Sequence, residues 1–206
     1  MKTRLILVLM VVMATLSLYA QETPNAKQAR RIFDEVYERV FGAQGATLHY
    51  DVNVASIYKT DGTIWYKGKK SKYISKSSKA WNDGVSAYVI KGNKQEVELY
   101  DANSPKQSRF GDDFKFEPEN YTYQIATDPQ GLLITLHVKK GMKGMKEIRA
   151  LIDKKTHDPI QLRIKVAFIW ANVQISQFKS GGINDDVFTF PRSQYKGYRL
   201  IDKRGE

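Results

Sequence analysis

Between Ile160 and Phe168 the chain sets apolar residues on every second position: Ile160, Leu162, Ile164, Val166 and Phe168, with Gln161, Arg163 and Lys165 between them. A period of two suits an extended strand, whose successive side chains point to opposite faces; a helix would scatter these residues around its circumference. Such a strand has an oily face that another element must cover. Alternation resumes at Val173 and Ile175 after Ala171-Asn172, which predicts an antiparallel return there.

One segment has the helical period that a cover needs. Thr23-Pro24 pairs an N-cap residue with a first-turn proline. Ala29, Ile32, Phe33, Val36, Val40 and Phe41 then recur at spacings of three and four, predicting an amphipathic helix over 25–44 with Gly42 and Gly45 as stops. From Thr47 almost everything reads as strand. Asp61-Gly62, Gly68, Asn82-Asp83-Gly84, Gly92-Asn93, Gly131 and Asp158-Pro159 punctuate the alternating runs. About ten strands with short connections result, sequence neighbours are expected to be sheet neighbours, and a further short strand, Phe188-Thr189-Phe190, is expected after the linker Gly181 to Asp186. The simplest assembly is α+β, mainly β: a long antiparallel sheet curled around one N-terminal helix. Residues 103–118 break the pattern and read as a short helix followed by loop.

Residues 1–20 read as a secretory signal. Lys2 and Arg4 precede an apolar run from Leu5 to Leu16, and Ser17-Leu18-Tyr19-Ala20 forms a cleavage site. No cysteine follows, so the residue that a bacterial lipid anchor requires is missing and no disulfide is expected. Residues 21–206 are expected to form one soluble, exported domain, whose formal charge falls from +11 to +9 without the signal. In an exported protein that charge points to anionic head groups, an acidic protein or a solvated surface rather than nucleic acid.

Catalytic signatures are sparse. His49, His137 and His157 are isolated from one another and from any cysteine, so a metal centre is not expected. No nucleophile elbow, phosphate loop or dinucleotide fingerprint occurs. The carboxylate pairs Asp112/Asp113 and Glu117/Glu119 lie in a polar stretch and read as solvated. No enzyme activity and no cofactor are expected. Two basic stretches remain. Lys67, Lys69, Lys70, Lys72, Lys76 and Lys79 interleave with Tyr66, Tyr73, Ile74 and Trp81, which suits a protected sheet edge or a head-group site. The loop Lys140-Gly141-Met142-Lys143-Gly144-Met145-Lys146 places two methionines among lysines, as an ordinary loop or as a contact for a membrane surface or partner.

The ordered set of Ala29-Arg30-Arg31-Ile32-Phe33, Gly68-Lys69-Lys70-Ser71-Lys72-Tyr73, Trp81-Asn82-Asp83-Gly84-Val85-Ser86-Ala87-Tyr88, Ile152-Asp153-Lys154-Lys155-Thr156, Asp185-Asp186-Val187-Phe188-Thr189-Phe190 and Arg199-Leu200-Ile201-Asp202 resembles the LolA family of periplasmic lipoprotein carriers. The resemblance spans nearly all of residues 21–206. It implies an unclosed β-barrel with helices over its concave apolar face, and transport of lipoprotein acyl chains from inner to outer membrane without catalysis. It also implies an inner-membrane release complex and an outer-membrane acceptor as partners, with a monomeric carrier between them. By the same resemblance, Ser104 to Phe116 takes the place of the lid helix, and Lys69 or Lys70 matches the basic residue that holds the lid, where arginine is usual. The expected lipid-cavity residues are Phe33, Val36, Val40, Phe110, Phe114, Phe116, Ile160, Leu162, Ile164 and Val166. The rival reading is a periplasmic lipid- or protein-binding sensor domain on the same scaffold.

Overall fold

The computed structural model describes residues 22–54, 58–104, 116–166 and 168–205, with only the backbone of Val166. It begins with the helix α1 (Pro24–Phe41). The Thr23 hydroxyl accepts the Ala26 N–H at 3.1 Å, and the Gly42 N–H closes the other end on the Glu38 carbonyl. Ala29, Ile32, Val36 and Val40 are its buried stripe.

Strands follow in two meanders. The first is β1 (Ala46–Val54), β2 (Tyr58–Lys67), β3 (Lys70–Ser75), β4 (Lys79–Asn82), β5 (Ser86–Lys91) and β6 (Glu96–Asp101). The second is β7 (Tyr121–Asp128), β8 (Gly131–Val138), β9 (Glu147–Ile152), β10 (Pro159–Val166) and β11 (Ile169–Ser180), with β12 (Arg199–Asp202) at the end. All twelve form one sheet in the order β12-β6-β5-β4-β3-β2-β1-β11-β10-β9-β8-β7. Neighbours are antiparallel except β12, which runs parallel to β6. The β1–β11 pairing joins the meanders, while β7 and β12 remain as separate edges, so the sheet is an unclosed barrel. This is the architecture that the motif resemblance implied.

Two bulges help the sheet curl. Ile160 is the extra residue where β10 pairs with β9, and Gln177-Phe178 oppose Leu48 where β11 pairs with β1, Gln177 taking a φ of 51°. An inserted residue bends its strand and increases the local twist. The curled sheet grips α1 from both sides. The Asn25 amide accepts the Ile125 N–H at 3.0 Å and donates to the Ile125 carbonyl at 2.9 Å, pairing with the free edge of β7 as a neighbouring strand would. Arg30 bridges to Glu119 at 2.7 Å. Farther along, Arg39 reaches the Thr156 carbonyl at 2.9 Å and Asp158 at 2.5 Å, and the Ser180 hydroxyl donates to the Arg39 carbonyl at 3.0 Å.

Several sequence-based expectations shift. Asp61-Gly62 lies inside β2 rather than in a turn, because Gly62 gives the Tyr50 side chain the room that a Cβ would occupy. The hairpin from β10 to β11 turns between Val166 and Ile169, ahead of Ala171-Asn172, because Ala171 and Asn172 already pair with Ile164 and Arg163. Phe188 ends a 3-10 turn over Asp185–Phe188 instead of starting a strand, since Asn184 caps the Asp186 N–H at 3.0 Å. Phe190 then stacks on Tyr88 at 4.4 Å, beside Trp81, on the outer face of the first meander. Of the stretch expected to form a lid, residues 105–115 lie outside the described residues.

Candidate functional site

Between α1 and the concave face lies a cavity of about 670 Å³, inside the ~300–1,000 Å³ range of small-molecule sites. Alternation builds its walls. Leu48, Tyr50 and Val52 of β1 point inward, as do Ile148, Ala150 and Ile152 of β9 and Val173 and Ile175 of β11. From β2 and β3 come Tyr58, Thr60, Ile64, Tyr66 and Tyr73. The helix supplies the roof with Phe33, Val36, Tyr37, Val40 and Phe41. Phe33, Tyr37 and Phe41 are four residues apart, so their rings lie in one row: Phe33 packs on Phe116 at 5.5 Å, Tyr37 on Phe116 at 5.6 Å and Phe41 on Tyr66 at 4.6 Å.

No described residue lining the cavity carries a charge; its polar groups are Thr60, Gln161 and tyrosine hydroxyls. Desolvation pushes Tyr66 up to about 12, and burial raises Tyr50 well above the ordinary tyrosine value, with Tyr73 adding to it. These phenols therefore stay neutral across the physiological range. The Tyr50 hydroxyl is buried without a hydrogen-bond partner among the described residues. Such a surface offers long apolar chains broad contact and few polar anchors.

Of the sequence-predicted site residues, Phe33, Val36, Val40, Phe116, Leu162 and Ile164 line this cavity. Ile160 is not among the lining residues; it is the bulged residue, and Pro159 and Gln161 on either side of it face inward instead. The Val166 side chain, Phe110 and Phe114 lie outside the described residues. Lys69 is exposed at the β2–β3 turn, whereas Lys70 Nζ sits 3.3 Å from Asp185, which Lys67 also approaches at 3.0 Å. Hydrogen bonds from these two lysines hold the Asp185 carboxyl below its ordinary value. Sequence reasoning missed the walls from β1, β2, β3, β9 and β11. The parity of Leu48, Tyr50 and Val52 was visible in the sequence, but which parity faces the helix was not.

Two carboxylates outside the cavity are engaged by basic side chains. His157 Nδ1 lies 3.1 Å from Glu35, and Glu119 is engaged by Arg30. Among the described residues no cluster of three or more histidine, cysteine, aspartate or glutamate side chains is arranged to hold a metal ion.

An open β-sheet curled around one helix, with a cavity between them, defines a half-barrel fold. Solved structures share it. An uncharacterized conserved protein from Thermus thermophilus superposes with a TM-score of 0.58 at 9% identity, covering 85% of this chain and 99% of that one. A LolA superfamily protein from Nitrosomonas europaea aligns with a TM-score of 0.41 at 10% identity over 80% of this chain and 98% of its own. The lipoprotein LppX from Mycobacterium tuberculosis aligns with a TM-score of 0.44 at 12% identity over 78% and 99%. The likeness is one of fold, and the Thermus protein carries it. No protein-family model and no curated protein matches the sequence.

Proposed function

We propose that this protein is an exported, non-catalytic carrier of acyl chains. It holds the lipid tails of lipoproteins between α1 and the concave face and moves them through the periplasm from inner to outer membrane. Residues 1–20 serve as the export signal, and residues 21–206 are the carrier domain. The observation that carries this reading is the cavity, about 670 Å³ in size, with no charge on any described residue that lines it. The ordered motifs that resemble the LolA family support the direction of transport and the two membrane partners.

The energetics suit a shuttle. Roughly eight buried methylenes contribute about 6 kcal/mol at ~0.8 kcal/mol each, and ordering a flexible chain offsets part of that. Even without that offset, about 6 kcal/mol corresponds to a Kd of roughly 40 μM, so a partly buried chain is held weakly and can leave. Few polar anchors keep the cost of release low. Lys69, in the turn before β3, and Lys70, at its start, are in this reading the contacts of the lid or of a head group.

The test has two arms. Protein purified from its native compartment is extracted and its lipids identified by mass spectrometry; the purified protein is then asked to release a lipoprotein from inner-membrane vesicles. A carrier yields acylated species and releases the lipoprotein. An empty cavity, no release and one tightly bound protein would instead establish the sensor reading.

A further inference from the structure

The turn between β10 and β11 and the loop between β8 and β9 meet at one rim of the sheet, and there three large apolar side chains face water. Phe168 is 89% exposed, Met142 54% and Ile169 49%. One exposed apolar residue is ordinary; three on adjoining turns are a patch. The loop is pinned rather than frayed. The Met145 N–H donates to the Tyr121 hydroxyl at 3.0 Å, the Lys139 N–H to the Asn120 carbonyl at 2.7 Å, and the Lys146 N–H to the Lys165 carbonyl at 3.0 Å. The last of these bonds ties the loop to the hairpin. Met142 is thereby held outside while Met145, three residues on, is buried in the cavity wall.

Cations ring this patch. Lys140, Lys143 and Lys146 are exposed on the loop, with Lys146 Nζ 5.1 Å from the centre of the Phe168 ring. Behind them Arg163, Arg149 and Lys165 surround Trp170 at 4.8, 5.0 and 5.5 Å. Carboxylates lie nearby as well: Glu147 is bound by Arg149 at 2.6 Å with His137 at 4.0 Å, and Glu117 accepts from Asn120, whose amide also reaches the Lys143 carbonyl. Apolar tips inside a basic ring match the boundary of an anionic bilayer, where side chains enter the acyl region and cations meet head-group phosphates.

We propose that this rim docks the protein onto anionic phospholipid membranes. The patch adjoins the cavity wall formed by Met145, Ile148 and Ile164, so a docked protein has its apolar interior beside the bilayer. Docking goes beyond the carrier reading and is measured separately from cargo.

The experiment is vesicle flotation with the exported domain, comparing phosphatidylglycerol vesicles with phosphatidylcholine vesicles at low and high salt. The wild type is expected to float with the anionic vesicles at low salt, and to do so less at high salt. Lys140→Gln/Lys143→Gln is expected to weaken that binding about 30-fold, from ~1 kcal/mol per basic residue at the surface. Phe168→Ser/Met142→Ser is expected to weaken it about tenfold or more. Loading of a fluorescent fatty acid is measured on the same proteins and is expected to be unchanged. Four positions on exposed turns are altered, so circular dichroism should show an intact fold. A wild type that floats equally with both vesicles or with neither overturns the proposal. So do variants that bind as the wild type does, or a rim that captures an acidic protein and no vesicle. Failure of the wild type to load fatty acid would overturn the carrier reading and leave docking standing.

Discussion

Filling the cavity from its floor separates ligand binding from ordinary core packing. Ala150 is buried at the middle of β9, lines the cavity and pairs across the sheet with Ile134 and Leu162. In Ala150→Trp the added indole extends into space that a bound chain would occupy. If it displaces roughly four methylenes, at ~0.8 kcal/mol each, binding loses about 3 kcal/mol, more than a hundredfold in Kd. The substitution fills space already open between α1 and the sheet, so its effect on stability is expected to be small beside its effect on affinity. Ala126→Trp, on an exposed position of β7, is the control and should bind as the wild type does. The assay is titration of a fluorescent long-chain fatty acid, with thermal melting followed on the same samples. A folded Ala150→Trp protein with wild-type affinity would refute the placement of acyl chains between α1 and β9.

Two further outcomes are expected. Asn25→Ala removes both hydrogen bonds to the free edge of β7, costing about 1–2 kcal/mol and lowering Tm by roughly 2–8 °C, with faster amide exchange at Ile125; an unchanged exchange rate would show that the edge is held elsewhere. Glu98 is buried near the β12 edge; burial acts to raise its pKa, but hydrogen bonds from Lys203, Tyr100 and Lys91 outweigh that and hold it below the ordinary glutamate value. A depressed folded pKa means that the unfolded chain takes up the proton first, so the stability from this group is present above the unfolded pKa and is lost as pH falls through the folded one. Glu98→Gln should therefore lower stability near neutrality and flatten the acid limb of a urea-denaturation series; parallel wild-type and variant curves across that limb would contradict the assignment.

The helix and most strands were legible in the sequence because their signals are local. Thr23 and Gly42 close the ends of α1 with bonds to Ala26 and Glu38, three and four residues away, and alternation in Leu48 to Val52 or Ile148 to Ile152 states which residues share a face. Ile160 shows the limit of that reasoning. It continues the alternation of Leu162 and Ile164 without a break, yet the bulge opposite β9 takes it out of the lining set, because strand pairing and not the strand's own pattern decides where a residue is inserted. The Val166–Ile169 turn likewise comes earlier than the polar Ala171-Asn172 step suggested.

The cavity itself belongs to the tertiary structure. By itself the sequence determined that one helix and a long antiparallel sheet must share an apolar face. It could not determine how far apart they stand. That separation follows from contacts between residues a hundred or more positions apart, Asn25 with Ile125, Arg39 with Thr156 and Ser180 with Arg39, and from the curl of a sheet whose two meanders are joined through β1 and β11. A period of two or of 3.6 records which side of an element is oily. Whether that side is filled by its own core or left open for a ligand depends on long-range geometry, which local patterning does not encode.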